Sequence, residues 1–185
     1  MERAHTREKR RREAKITPNE TDKTFVCFVD LKLAFDKVDR DILIQEMIRL
    51  QLPIELITLV AKILMNTSFE TDGGTKTNVG VQQGSVLGPT LFNIYINSLL
   101  IDLEPFTVSR HCFADDICIV CYSQDQLTKA INTINKWCDK MKMQVNAAKS
   151  GILAIRNDLR TRQIKKKHFQ GIPVLTKYTY LGIEI

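Results

Sequence analysis

The run Cys112-Phe113-Ala114-Asp115-Asp116-Ile117-Cys118-Ile119-Val120 sets two adjacent aspartates inside an apolar segment. Its flanks alternate poorly, but their β-branched and aromatic composition predicts two short strands meeting in a tight turn around Ala114 and Asp115. Two carboxylates at the tip of such a hairpin repel and raise each other's pKa unless a cation neutralises them. Hard oxygen ligands of this kind suit Mg²⁺ or Mn²⁺. An exposed Asp-Asp turn would carry the same pair, since acidic residues are common in turns. The rest of the chain has to separate the two readings.

Upstream, Phe25-Val26-Cys27-Phe28-Val29 runs straight into Asp30 and Leu31. A nearly continuous apolar run predicts a strand covered on both faces or lying inside a sheet, and an acid at its end is harder to assign to solvent. If Asp30 meets Asp115 and Asp116 in space, three carboxylates can hold two divalent ions. Such a pair, about 3.5–4 Å apart, activates an attacking oxygen and stabilises a leaving oxygen in phosphoryl transfer. Spacing alone does not establish that convergence.

Between these acids, Gln83-Gly84-Ser85 precedes a Gly88-Pro89 step and an amphipathic segment, Leu91 to Leu100, that reads as a helix with Pro89 near its first turn. Glycines there allow close backbone approach to a ligand; a plain loop entering a helix uses the same glycines for turn geometry. Ile42 to Leu50 and Pro53 to Met65 read as two helices broken at Leu52-Pro53, followed by a hairpin about Asp72-Gly73-Gly74. Ser123-Gln124-Asp125-Gln126 has capping-box spacing and opens a helix whose stripe is Leu127, Ile131, Ile134, Trp137, Cys138 and Met141. A strand near Gly151 to Ile155 and a last hairpin near Pro173 to Ile185 complete a β-α-β-β-α-β order. That order predicts an α+β fold, a ferredoxin-like antiparallel sheet with helices packed on one face.

Composition bounds the function classes. With 185 residues, 44% of them hydrophobic, the chain can bury one core, and no apolar stretch is long enough to span a membrane. The first twenty residues are polar and charged, unlike a secretory signal. Residues 1–23 lack apolar periodicity and are expected to form a basic, disordered tail ahead of a domain at 24–185. A net charge of +6 favours polyanionic partners, although much of it sits in Lys9-Arg10-Arg11-Arg12 and Lys165-Lys166-Lys167, which read equally well as solvated charge. Five cysteines without a signal suggest reduced thiols in an intracellular protein. Cys118 and Cys121 have C-x-x-C spacing but would point to opposite faces of a strand, and no second Cys or His pair follows, which argues against zinc. His5, His111 and His168 lie in dissimilar contexts and offer no nucleophile-base pair.

Four motifs stand in one order: Phe28-Val29-Asp30-Leu31-Lys32-Leu33-Ala34-Phe35-Asp36-Lys37-Val38, Gln83-Gly84-Ser85-Val86-Leu87-Gly88-Pro89-Thr90-Leu91-Phe92-Asn93, Phe113-Ala114-Asp115-Asp116 and Tyr180-Leu181-Gly182-Ile183. Together they resemble the palm region of reverse transcriptases, RNA-directed DNA polymerases, of the non-LTR (LINE-like) retrotransposon type. The resemblance covers about residues 24 to 185. It implies a polymerase palm whose fingers and thumb are largely missing from this chain, so that the chain is expected to be a fragment of a larger polymerase.

The resemblance also implies roles. Asp30, Asp115 and Asp116 become the catalytic carboxylates, Asp116 the more dispensable as a direct ligand, and the Leu31 carbonyl an extra ligand to two Mg²⁺ ions, with Mn²⁺ as an alternative. Phe35 matches the steric gate that excludes a ribose 2′-hydroxyl; it also reads as a core aromatic clustered with Leu33 and Val38, and both can hold. Gln83 and Gly84 become nucleotide contacts. Val145-Asn146-Ala147-Ala148-Lys149-Ser150 resembles the next motif, where Lys149 contacts the nucleotide or protonates the leaving pyrophosphate; a solvated lysine is the plainer reading. Tyr180, Leu181 and Gly182 resemble the primer grip, whose contribution is orientation of the primer end. The implied partners are an RNA template, a DNA primer and dNTPs, with no membrane, and further polymerase segments or a retroelement ribonucleoprotein. The nucleus or a cytoplasmic ribonucleoprotein would be the place of work. A catalytically inert palm remnant or nucleic-acid-binding module, and an RNA-directed RNA polymerase, are the competing readings. Phe35, and Ala114 where RNA polymerases favour glycine, argue against the last.

Overall fold

Strand β1 (Thr24–Val29) takes the centre of the sheet because its residues can be buried on both faces. The computed structural model describes residues 24–67, 78–82, 84–155 and 168–185. The expected tail at 1–23, the hairpin about Asp72-Gly73-Gly74, Gln83 and the Lys165-Lys166-Lys167 cluster lie outside the described residues.

After β1 come helices α1 (Arg40–Arg49), α2 (Ile54–Asn66) and α3 (Gly88–Asp102), hairpin β2 (Ser109–Phe113) and β3 (Asp116–Cys121), and helix α4 (Gln124–Lys140). Strands β4 (Gly151–Ile155), β5 (His168–Phe169), β6 (Ile172–Leu175), β7 (Thr179–Tyr180) and β8 (Ile183–Glu184) complete the order. The main sheet runs β2-β3-β1-β4-β6-β5, and its first four strands are antiparallel neighbours in the ferredoxin-like arrangement expected from the element order. No helix among the described residues is long and apolar enough to cross a membrane.

Alternation assigns the faces. On β1, Phe25, Cys27 and Val29 join Ile117, Ile119 and Cys121 of β3 in a core completed by the helices. Leu127, Ile131, Ile134, Trp137, Cys138 and Met141 are all buried, so the α4 stripe packs as its spacing predicts. Cys118 falls on the other face from Cys121, again following the strand period. Ser123 caps α4 by accepting from the Gln126 N–H (3.1 Å), while Gln126 Oε1 accepts from the Tyr122 N–H (2.9 Å). The reciprocal bond thus lands one residue before the cap.

The C-terminal region differs from its expected single hairpin. Gln170 (φ 48°) and Gly171 (φ 87°) form a left-handed turn joining β5 to β6, so Pro173 lies inside a strand and not at a hairpin start. β6 then runs parallel to β4, an addition to the antiparallel core. A separate hairpin, β7–β8, follows.

Buried polar groups tie the helical layer to the loop after β1. The Tyr95 hydroxyl accepts from the Asp39 N–H (3.4 Å) and donates to the Met141 carbonyl (2.6 Å). The Arg40 guanidinium donates to the carbonyls of Gly80 (2.9 Å), Thr67 (2.7 Å) and Leu64, joining the start of α1 to the end of α2 and to the segment at 78–81. Asp39 caps α1 through the N–H groups of Asp41 and Ile42 (both 3.1 Å) and pairs with Lys142 Nζ at 2.5 Å.

Burial works against the Asp39 charge, but the Lys142 hydrogen bond and the two backbone donors outweigh it and hold the carboxyl below its usual range. A depressed folded pKa gives stability that is present above the unfolded value, about 3.9, and is lost as pH falls through the folded value. Asp39→Ala is expected to cost about 1 kcal/mol through the lost cap. Urea titrations at pH 7 and pH 3 check this: the difference between wild type and variant should shrink at the acidic pH.

Candidate active site

The β1–β3 register decides where the acids meet. Val29 stands opposite Ile117, so the next step along both strands sets Asp30 opposite Asp116. The ladder itself stops at Val29–Ile117, so the two acids come together just past its end, close enough for the Asp30 charge to act on Asp116. Both side chains share the period of Phe28 and Cys118, on the sheet face away from the α4 core.

Asp115 occupies the turn before β3. Ala114, preceding it, adopts a left-handed φ of 55°, a conformation that costs energy without glycine. Its carbonyl accepts from the Cys112 Sγ–H (2.9 Å), which braces the turn from within β2.

The electrostatics record the crowding. Burial, then the charges of Asp115 and Asp30, raise the Asp116 carboxyl above its ordinary value, and Lys149 offsets part of that rise. Oxygen-donor side chains gathered around a repelled carboxylate have the chemistry for a hard divalent cation. Among the described residues, however, no three His, Cys, Asp or Glu side chains are drawn together closely enough to form a ready ligand cluster. The donor set fits such an ion by type and charge.

The first acid leads into a loop with its own constraints. Leu31 buries its side chain and forms a bridge with Val145; the bonds of that bridge run from the Lys32 N–H to the Gln144 carbonyl and from the Asn146 N–H to the Asp30 carbonyl (both 2.8 Å). The Leu31 carbonyl is therefore not used by that bridge. Phe35 is half-buried and stacks on Phe92 of α3 with centroids 4.8 Å apart, and its carbonyl accepts from the Val81 N–H (2.9 Å). Val38 is buried as the core reading requires, but Leu33 is 64% exposed with a left-handed φ of 51°, so the expected Leu33-Phe35-Val38 cluster is incorrect. The reversal at Leu33 turns its side chain out to solvent.

The loop into α3 is shaped by its glycines. Gly84 is exposed at φ 79°. A methyl added at Gly88 would lie 2.8 Å from the Gln82 carbonyl oxygen, so that position is closed to larger residues. Between them the Ser85 hydroxyl accepts from the Gly88 N–H (2.9 Å), leaving Val86 94% exposed at the loop's tip.

Lys149 is exposed, with its charge in reach of Asp116. Tyr180 lies over Phe28 at 5.0 Å, and the turn Leu181-Gly182 takes φ values of 50° and 80°, the left-handed pair of a two-residue hairpin loop. Two residues beside the acids, Tyr178 and the motif residue Ser150, had no role assigned from the sequence. Tyr178 stacks on Phe28 at 4.4 Å and donates its hydroxyl to the Lys149 carbonyl (2.6 Å); Ser150 is buried against Asp30. Strand alternation was the available signal for Tyr178, since it shares a face with Tyr180 two residues on. Burial, followed by the charges of Asp116 and Asp30, raises the Tyr178 phenol.

A second concavity, about 610 Å³, lies beside β4 and β6, lined by Leu153, Ile155, Val174, Leu175 and Ile185 among others. Among the described residues its lining is apolar apart from Thr176.

A family model described as reverse transcriptase (RNA-dependent DNA polymerase) matches residues 3–185. An RNA-directed DNA polymerase from mobile element jockey of Drosophila funebris is 28% identical over 174 residues, covering 85% of this chain and 19% of that protein. A Pol polyprotein from type-1 retrotransposable element R1 2 of Nasonia vitripennis is 28% identical over 118 residues, 57% of this chain and 29% of that protein. The chain thus spans about a fifth of the jockey relative's length. In structure it resembles apo telomerase from Candida tropicalis, with a TM-score of 0.63 at 15% identity, covering 94% of this chain and 35% of that one. At that identity the likeness speaks to the fold, a palm-like sheet.

Asp116→Asn removes one of the opposed charges without changing side-chain shape. In chelator-treated buffer at pH 7 the variant is expected to melt higher than wild type, by roughly 0.5 kcal/mol, or ~1–2 °C. Paired thermal melts check this, and an equal or lower midpoint would remove the argument from repulsion.

Proposed function

The chain belongs to the reverse transcriptase family, alongside the RNA-directed DNA polymerases of non-LTR retrotransposons, and from that premise we propose that it performs template-directed DNA synthesis on RNA as the palm, residues 24–185, of such a polymerase. The observation that carries the proposal is the β1–β3 register, which ends at Val29–Ile117 and leaves Asp30 and Asp116 just past its last pair, where the charges of Asp115 and Asp30 both act on Asp116.

In this reading Asp30 and Asp115 are the principal ligands of two Mg²⁺ or Mn²⁺ ions, and Asp116 and the Leu31 carbonyl assist. When bound, such a pair activates the primer 3′-hydroxyl and stabilises the leaving pyrophosphate oxygen. The protein's own groups do the remaining work. Lys149, exposed and near Asp116, offers a positive charge to the nucleotide's phosphates or a proton to the leaving group. Phe35, stiffened by its stack on Phe92, stands as a wall against a 2′-hydroxyl, and a rigid wall discriminates better than a mobile one. Gln83 and Gly84 contact the incoming nucleotide. The Tyr180-Leu181-Gly182 turn, anchored on Phe28, aligns the primer end.

The net charge of +6 supports an RNA template and DNA primer as partners, with dNTPs as substrates. Further polymerase segments complete the cleft, and the work takes place in the nucleus or on a cytoplasmic ribonucleoprotein.

Primer extension on an RNA template tests the proposal. With those further segments present, the polymerase is expected to add dNTPs only with a divalent ion, and Asp115→Asn to reduce extension to background. Binding of primer-template without any extension would favour the inert binding-module reading. Phe35→Ala is expected to raise ribonucleotide use relative to deoxynucleotide use by roughly tenfold or more, measured as the ratio of kcat/KM values; an unchanged ratio would reduce Phe35 to a packing residue.

A further inference from the structure

Asp30 lies one residue beyond the β1 ladders. The pairing with β3 ends at Val29–Ile117 and that with β4 at Phe28–Gly151, so neither strand holds the backbone that carries this carboxylate. Its polar groups are instead taken by the turn after α4. The Asp30 N–H donates to Ser150 Oγ (3.1 Å), and the Asp30 carbonyl accepts from the Asn146 N–H (2.8 Å). The Ser150 hydroxyl then donates to the Asn146 carbonyl (2.8 Å), closing a ring of three hydrogen bonds. Ser150 is 2% exposed, so water does not readily replace a lost partner, and a buried N–H left alone is costly.

The same turn is pinned on either side of Ser150. At Lys149 the carbonyl accepts from the Tyr178 hydroxyl (2.6 Å). At Gly151 a methyl would lie 2.9 Å from Tyr178 Cδ2 and 2.6 Å from Leu175 Cδ1, so the ring can seat only over glycine. Tyr178 also stacks flat on Phe28, with an interplanar angle of 6°, and exchanges backbone bonds with Ile185 at the base of the β7–β8 hairpin. Three consecutive residues, 149–151, therefore join the C-terminal hairpin to the backbone of the first acid.

Resting on the reading of Asp30 as a metal ligand, we propose that Ser150 is a positioning residue for Asp30 and that Tyr178 braces the same turn from the C-terminal hairpin. Neither side chain touches the substrate or the ion. Ser150 sets where the Asp30 carboxylate stands, as the outer partners of metal ligands generally do, and Tyr178 makes that setting continuous with the hairpin that aligns the primer end.

The test uses the 185-residue chain with Mn²⁺ alone, followed by calorimetry and by electron paramagnetic resonance of the free ion. Ser150→Ala is expected to bind Mn²⁺ roughly tenfold or more weakly than wild type, and Tyr178→Phe to weaken it in the same direction by a smaller factor. Amide hydrogen exchange separates positioning from general destabilisation: Ser150→Ala should speed exchange at Asp30 while Cys27, inside β1, keeps its protection. Wild-type affinity in Ser150→Ala, or equal acceleration at both amides, would overturn the inference while the metal reading stands. Absence of Mn²⁺ binding by wild type would overturn both. If Ser150→Ala does not fold, Tyr178→Phe decides, and unchanged Mn²⁺ affinity there counts against the proposal.

Discussion

The antiparallel register between β1 and β3 is the constraint on which the molecule depends. Strand side chains alternate, so a slip of one residue would turn Phe25, Cys27 and Val29 out of the core and carry Asp30 to the helix side. Burial of those residues against Ile117, Ile119, Cys121 and the α4 stripe selects one register. That selection also sets Asp30 opposite Asp116. The packing that stabilises the palm thus produces the charge repulsion at its edge, and neither can be adjusted alone.

Around that edge the backbone departs repeatedly from relaxed conformations. Ala114 before the acidic pair, Leu33 after the first acid and Leu181 in the hairpin turn all have positive φ. Each costs energy without glycine, and such residues gather where surrounding structure over-determines a functional geometry. Here the surroundings are identifiable: the Cys112 thiol beneath Ala114, the Gln144–Asn146 segment beside Leu31, and the cross-strand pair of Thr179 with Glu184 below Leu181. The raised Asp116 carboxyl belongs to the same edge, where burial and the charges of Asp115 and Asp30 act on it together.

Phe28 shows how one side chain serves both layers of this arrangement. It belongs to the central strand, yet its ring faces away from the helices and is covered by Tyr178 and Tyr180. The open face of the sheet is therefore closed locally by the C-terminal hairpin, and the acids stand at the border of that cover. A groove beside β4 and β6 carries, among the described residues, an apolar lining with one threonine.

Much of the fold was legible locally, for physical reasons that can be named. The α4 stripe and its Ser123 cap repeat at helical spacing, the helix break at Leu52-Pro53 follows from proline's missing donor, and β1 announces itself as an apolar run too long for a half-exposed strand. The C-terminal region departs from the one hairpin expected near Pro173 to Ile185 because Gln170-Gly171 makes a left-handed turn ahead of it, a feature of backbone handedness that residue chemistry marks weakly. Leu33 was misplaced because an apolar residue near a core strand is assumed to be buried, and a left-handed turn reverses that. By itself, the sequence determined the central strand, the main helices and the two acidic segments, since these depend on residue chemistry and short-range periodicity, and it pointed to the family through the resemblance of its four motifs. Only the tertiary structure decided that Asp30 faces Asp116, that Phe35 leans on Phe92, and that Ser150 and Tyr178 secure the turn behind the first acid. Those contacts join residues 57 to 120 or more positions apart in some cases and 29 in another, and long-range packing, not local preference, selects them.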